Sequence, residues 1–586
     1  MKDMKRIIAA YLTLGLFFLA SGAYTCAFAE PVNLAAHREK AERLRASMMQ
    51  SSLEKELGQN PAGKAGWVVF LSVCDGVSRA RVFSGSGASL EQAFAKADEN
   101  TYAYVSESGV YVRWLKADVV SSVREISMTA LKREVLKARH EFYRYGIAFD
   151  DGFALALLEA EMNGAKIYEY ENGGIDEKYL NNYLKKSGRD PISALPDQMT
   201  LFRCRGWLCD EDNTVYPLYE DGLETGRREI LPLDAEYAFT LIDHASAFLM
   251  DQIREDGSFV YGIYPRFDNN IDNYNMVRHA STLWSLLCRY RMMPSDALEQ
   301  TIRKAVAYML TQIIEDENGA KYLYETKSDE IKLGGSALAA ISLTEYMDIF
   351  QKQEYLDVCQ ALGDGILNMF EAETGEYWHV FNGDFNRKEK ERKVYYDGEA
   401  TFALVKLYGL TQNRRWLDAA SKAVDHFIAA EYEQYKDHWV AYSLNEITKY
   451  ITDRQDYFDF ALRNAKVNLQ AIAQRDTTYH TYLEMLMATF EVYDRMVSNQ
   501  IPVVDFEIQD LLDTIGIRAQ RQLNGFFFPE YAMYMKNPQR ILNTFMVRHD
   551  GYRIRIDDVQ HNIGGYYLYY KNYEKMLSYG FRNDVY

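Results

Sequence analysis

From Leu233 to the C-terminus, apolar residues recur at spacings of three and four in helix-length blocks, and the blocks alternate between two kinds. In the first kind the apolar positions form one stripe. Leu298, Ile302, Val306, Met309 and Ile313 share a face while Glu299, Lys304 and Gln312 turn away, as expected of a helix with one side in water. In the second kind small and apolar residues cover nearly every face, as in Gly334-Gly335-Ser336-Ala337-Leu338-Ala339-Ala340-Ile341, so the helix can be surrounded. Striped helices are predicted near 235–255, 296–315, 354–372, 414–431, 455–473 and 505–523. Their surrounded partners are predicted near 275–291, 335–350, 398–410, 439–452, 479–498 and 558–578.

Six outer and inner pairs are what a closed double ring of helices requires, because each inner helix then packs against both neighbours and closure leaves no exposed end. An open solenoid would show a stricter repeat. Upstream the pattern changes. A polar, helix-prone segment over 30–64 precedes the buried-strand pattern Trp67 to Val73 and a second strand at Ala80 to Phe83, with Asp75-Gly76 between them. Ser89 is placed to cap a helix to about Asn100. Strands are predicted at Tyr102 to Val105 and Val110 to Leu115, helices at about 121–138, 152–163 and from Asp176, and a strand at Met199 to Leu208. The expected fold class is an α+β N-terminal domain followed by an all-α (α/α)6 toroid. The expected domains are 1–29, a signal peptide; 30–64, a polar helical arm; 65–205, the α+β domain; and 206–586, the toroid.

Two phrases in the helical part, Tyr396-Asp397-Gly398-Glu399-Ala400-Thr401-Phe402-Ala403-Leu404 with Leu407-Tyr408, and Tyr274-Asn275-Met276-Val277-Arg278-His279-Ala280, resemble the six-hairpin, or (α/α)6, superfamily of carbohydrate-active enzymes. The resemblance covers roughly residues 200–580 and is architectural. It implies a polysaccharide-type cleft at one end of the ring, without pointing to one glycosidase, lyase or epimerase family.

The N-terminus changes the setting. Lys2, Lys5 and Arg6 precede the apolar run Ile7 to Ala20 and the small-residue site Ala27-Phe28-Ala29, the plan of a secretory signal peptide, so a periplasmic or secreted protein is expected. Cys26 offers lipoprotein anchoring as an alternative, although Thr25 stands before it where a small Gly, Ala or Ser is wanted. No other segment has the run of apolar residues a membrane span needs. Loss of residues 1–29 takes the formal charge from −18 to −20, an acidity that disfavours nucleic acid as a partner. Five cysteines then remain, an odd number; Cys204 and Cys209 are the pair whose bonding stays open. There is no CxxC or tight His/Cys spacing, and Asp268-Asn269-Asn270-Ile271-Asp272-Asn273 lacks the Gly and final Glu of a calcium loop, so neither metal nor cofactor is expected.

Connections from an inner helix to the next outer one are short (291–295, 350–354, 411–414, 452–455), whereas 256–274, 373–397 and 524–557 are long. Parallel inner helices gather the long loops and the inner N-termini at one end, where binding groups are expected. The inner starts carry Tyr274, Arg278 and His279; Lys332 and Gly334; Tyr396, Asp397 and Glu399; Asp437, His438 and Trp439; Tyr479 and His480; and Asp557, Asp558, Gln560 and His561. Acids at helix starts also serve as caps, and a histidine on an apolar face also serves as core. Loop aromatics, among them Tyr261, Trp378 and Phe526 to Phe528, suit the apolar faces of sugars or pack the loops together.

Three functions follow for an exported protein acting on polysaccharide or oligosaccharide. The first is a glycoside hydrolase with Glu399 as acid, Asp558 or Asp557 as partner, and His279 completing the catalytic set. Tyr274, Arg278, Tyr396, Asp397, His438, Trp439, His480, Gln560 and His561 would bind substrate. The second is a uronate lyase or epimerase, with a His or Tyr base from His279, Tyr274, His480 or His561 and Arg278 as carboxylate clamp. The third is a non-catalytic polysaccharide-binding or assembly factor. The sequence leaves sugar identity and oligomeric state open.

Overall fold

The computed structural model describes residues 32–390 and 395–582; the signal-like segment and Cys26 lie outside the described residues. The leading helix α1 (Val32–Gln50) buries Leu34, Ala41, Leu44 and Met48 on one face and docks on the N-terminal sheet. That sheet comprises β1 (Trp67–Cys74), β2 (Arg81–Gly87), β3 (Trp114–Ser127), β4 (Gly146–Ala148), β5 (Ala156–Leu157), β6 (Gln198–Cys209) and β7 (Val215–Pro217). Its order is β2-β1-β3-β6-β4-β5, with β7 added to β6, and every pairing is antiparallel.

The apolar run in β1, interrupted only by Ser72, has a specific cause. Trp67, Val69, Leu71 and Val73 face α1 and the helix α2 (Leu90–Ser108), while Val68, Phe70 and Cys74 face a second core that includes Met533 and Tyr534 of the C-terminal region. Both faces of the strand are covered, so the alternation usual in an antiparallel sheet is absent.

Ser89 caps α2 by accepting from Gln92 N at 3.3 Å, and Gly109 ends it in the left-handed region. The strand expected at Tyr102 to Val105 is the last turns of this helix: Ala97, Thr101 and Val105 continue its buried stripe at spacings of four. The strand expected at Val110 begins only at Trp114, and it continues to Ser127 through what was expected to be the start of a helix at 121. Helix α3 (Met128–Lys137) follows. Pairing along β6 from Leu115↔Cys209 to Ser127↔Gln198 holds that stretch extended. Of the helix expected at 152–163, only Glu159–Gly164 is helical. Helix α4 (Glu177–Lys186) starts at Asp176, which caps it. Cys204 and Cys209 stand five apart on one strand and so point to opposite faces. Both are free thiols, as are Cys74, Cys288 and Cys359.

The helical region matches the expected pairs closely. Outer helices α5 (Ala235–Asp251), α7 (Asp296–Leu310), α9 (Leu356–Asn368), α11 (Arg414–Ala429), α13 (Gln455–Lys466) and α15 (Ile508–Gln522) alternate with inner helices α6 (Met276–Met292), α8 (Leu333–Phe350), α10 (Tyr396–Thr411), α12 (His438–Ile447), α14 (Thr481–Ser498) and α16 (Ile556–Ser578). Each inner helix packs on the next, and α16 packs back on α6, so the ring is closed. Burial separates the two kinds: α8 is buried at every position from Leu333 to Met347, α7 only along Leu298, Thr301, Ile302, Ala305, Val306 and Met309. The fold is an α+β domain followed by an (α/α)6 toroid. No helix among the described residues is long and apolar enough to cross a membrane.

The long loop between α15 and α16 fastens the sheet to the ring. Ala80 N donates to Met533 O and Gln539 N to Gly76 O, both at 2.7 Å, and the Ser72 and Tyr534 hydroxyls meet at 2.8 Å. Buried pairs reinforce this joint: Arg266 with Glu141, and Arg548 with Glu159, at 2.8 and 2.9 Å.

Candidate active site

Because each outer helix returns the chain to the same end, the six inner helices run parallel and their first turns surround one mouth. A cavity of about 420 Å³ opens there and draws on all six. At the start of α6 it is lined by Asn275, Val277, Arg278 and Ser281, on α8 by Leu338, and at the start of α10 by Tyr395, Tyr396 and Glu399. On α12 Trp439 contributes, at the start of α14 Tyr479, His480 and Thr481, and at the start of α16 Arg555, Asp557, Gln560 and His561. Tyr395 and Tyr479 both hold positive φ, 89° and 37°. Such backbone strain in tyrosines persists only where surrounding structure enforces it, commonly at functional sites.

Glu399 is buried, and its Oε2 has no hydrogen-bond partner. Burial, with the Asp437 and Asp397 charges nearby, holds its pKa well above the usual carboxyl range. The group is therefore suited to carry a proton. It fits only because residue 334 is glycine: a Cβ there would overlap Glu399 Oε2 and lie 2.7 Å from Tyr396 Cδ1.

Asp557 also lines the cavity, but two guanidiniums occupy it. Arg278 Nε lies 2.9 Å and Arg555 Nη2 3.0 Å from Oδ2, while Oδ1 is buried without a partner. Burial and the adjacent Asp558 raise its pKa against the pull of Arg278 and Arg555. Asp558 lies outside the cavity lining. It accepts from Arg555 N at 3.1 Å, closing a capping box, and pairs with Arg553 and Arg555; those cations hold it ionised against the cost of burial. Its position is that of a helix cap, not of a hydrolytic partner to Glu399.

Four other expected residues also stand elsewhere. His279 is fully buried between the Tyr274 hydroxyl, 2.8 Å from Nδ1, and Ala305 O, 2.9 Å from Nε2; burial lowers its pKa to about 4. It faces the outer helix α7, and Tyr274, spent on His279 and Phe259 N, goes with it. Asp397 accepts from His379 Nε2 at 2.6 Å and the Tyr432 hydroxyl at 2.9 Å, behind the cavity wall. Asp437 caps α12 through Trp439 N at 2.9 Å. Of the loop aromatics, Phe526, Phe527 and Phe528 are buried packing.

His480 and His561 bring imidazoles to the cavity lining, with His438 packed against them. His480 and His561 stack with centroids 5.2 Å apart and planes at 15°, and His438 meets His561 edge-on at 4.9 Å. Burial and the neighbouring His561 lower the His480 pKa to about 3, so its ring is neutral. His438 is fully buried beneath Trp439, and burial lowers its pKa well below the ordinary value. Glu484 was not foreseen. It projects from α14 and takes His561 Nδ1 at 2.8 Å on Oε2 and the Tyr442 hydroxyl at 3.0 Å on Oε1. Burial raises its pKa, opposed by His561 and by these hydrogen bonds. His438, Glu484 and His561 bring ligand-type atoms within 4.8 Å of one another, a grouping from three helices that no sequence spacing announces. Gln560 lines the wall and accepts from Ser281 Oγ at 2.6 Å.

No protein-family model matches the chain, and no curated protein matches it. Solved structures are similar to part of the chain. A cellobiose 2-epimerase from Bacillus thermoamylovorans B4167 aligns at 14% identity over 57% of this chain and 99% of its own, with a TM-score of 0.46. A glycoside hydrolase family 76 mannosidase from Bacteroides thetaiotaomicron VPI-5482 aligns at 11% identity over 58% and 99%, with a TM-score of 0.42. An unsaturated glucuronyl hydrolase specific for heparin aligns at 10% identity over 59% and 96%, with a TM-score of 0.41.

Proposed function

We propose that this is an exported sugar isomerase or epimerase, moving a proton on the carbon beside a substrate carbonyl or carboxylate. The His561–Glu484 pair carries the reading: with Nδ1 held by a buried carboxylate, Nε2 is the ring nitrogen left to accept a proton, on a residue that lines the cavity. His480, kept neutral by burial and stacked on His561, fixes the orientation of that ring at the cavity. The charge that develops on the substrate oxygen meets Arg278 and Arg555, and the Glu399 carboxyl can donate to it. Trp439, Tyr395, Tyr396 and Tyr479 offer rings to a sugar, and the cavity volume suits one or two residues of it.

The test is to incubate reducing sugars and uronates with the full chain in heavy water and follow deuterium at the carbon beside the carbonyl. Exchange that disappears in His561→Asn and falls in Glu484→Gln is expected. No exchange in any sugar of the panel would overturn the reading.

Glu399, with Oε2 unpartnered and its pKa raised by burial, supports glycoside hydrolysis as a second reading. Against it, hydrolysis needs a free second carboxylate, and Asp557 and Asp558 are both engaged by arginines. Cleavage of a glycan abolished by Glu399→Gln, without deuterium exchange, would favour hydrolysis.

A further inference from the structure

We propose that His438, Glu484 and His561 also form a site for a divalent transition metal of the zinc class, and that its occupation switches off proton transfer. The second half rests on the isomerase reading; the first does not. Three inner helices contribute one ligand each, and the atoms are close enough for one ion. Glu484 Oε2 lies 2.8 Å from His561 Nδ1 and 3.7 Å from His438 Nε2, all within 4.8 Å. Bonds of about 2.0–2.2 Å to imidazole nitrogen and carboxylate oxygen span such separations with side-chain adjustments alone.

His438 supplies the independent observation. It is fully buried, yet neither ring nitrogen has a hydrogen-bond partner. Buried polar atoms are seldom left so, and a metal bond would satisfy one of them. Two imidazoles and a carboxylate suit zinc and its neighbours, unlike the all-oxygen shells of calcium or magnesium. The Tyr442 hydroxyl on Glu484 Oε1 orients the carboxylate, leaving Oε2 for the ion.

The switch follows from proton balance. In the neutral ring the proton sits on Nδ1, shared with Glu484, and Nε2 accepts. An ion bonded to Nδ1 displaces that proton to Nε2, with none lost overall. Nε2 becomes a donor, and the base is gone.

Titration of the untagged full chain with cobalt(II), followed by visible absorption, tests the site. Glu484→Gln, nearly isosteric, and His438→Gln are compared after their folding is checked by circular dichroism. One ion per chain in the wild type is expected, with affinity lower by about 10- to 100-fold or more in either variant, and zinc is expected to stop deuterium exchange. No binding, or equal binding in the variants, overturns the metal site. Binding lost in both variants while exchange in the zinc-loaded wild type stays unchanged overturns the switch. Absence of exchange in every sugar removes the isomerase reading and the switch with it, while the cobalt titration still decides the site.

Discussion

Arg278, at the start of the first inner helix, holds Asp557, at the start of the last, with Nε 2.9 Å from Oδ2. This pair spans the seam where the ring closes and forms part of the cavity wall. Arg278→Ala leaves Asp557 with Arg555 alone in a buried setting. A loss of about 1.5–3 kcal/mol is expected, the range for a hydrogen bond to a charged group, together with weaker substrate turnover. Urea unfolding and deuterium exchange on the same sample check both.

Glu399 gives a pH signature. Its folded pKa is raised above the ordinary 4.5, so between those two values the native state holds a proton that the unfolded chain has released. Stability from this group therefore falls as pH rises above 4.5, by at most about 1.4 kcal/mol per pH unit. Glu399→Gln removes the slope. Its stability relative to wild type should climb through that window and level off at lower pH, in denaturant melts taken across the range.

Gly334→Ala isolates the packing beneath that acid. Alanine in a helix interior stabilises by about 1 kcal/mol over glycine, and a smaller gain is expected at Gly334, in the first turn of α8. Here the added Cβ meets Glu399 Oε2 and Tyr396. The variant should be no more stable than wild type and should lose activity by displacing the carboxyl. A rise in melting temperature with full activity would contradict the geometry.

His279 tests the separation of core from cavity. Its folded pKa is lowered to about 4, so it is neutral in the native state and takes up a proton on unfolding below 6.5. Its contribution is complete above 6.5 and is lost as pH falls towards 4. His279→Leu should flatten that part of the stability profile and leave the deuterium-exchange rate of the folded fraction unchanged.

Much of the ring was legible because inner and outer helices differ in burial on every face, a difference written directly into residue type. The cavity end was legible too: Glu399, Arg278, Trp439, His480, Gln560 and His561 all line it. What failed was direction. His279 sits one residue from Arg278 yet turns to α7, because neighbours on a helix point about 100° apart and the sequence does not fix which turns inward. Asp558 and Asp397 were acids in the right turn that serve arginines and His379 instead. Glu484 had a signal: a carboxyl between Leu483 and Met485 in a helix buried all round needs a partner. That partner, His561, lies 77 residues away on another helix, beyond any local pattern. In the first domain, Tyr102 to Val105 resembled a strand because four residues are too few to separate the two periods.

The joint between Ser72 and Tyr534 crosses 462 residues of chain, so the seating of the sheet depends on a distant loop. The sheet is complete within residues 67–217, but the loop that seats it lies far downstream, just ahead of Arg555, Asp557 and His561. Met533 and Tyr534 complete the apolar cluster that Val68, Phe70 and Phe202 form with Phe153 and Leu158. A chain cleaved within that loop is expected to expose the apolar side chains of the sheet that Met533 and Tyr534 cover.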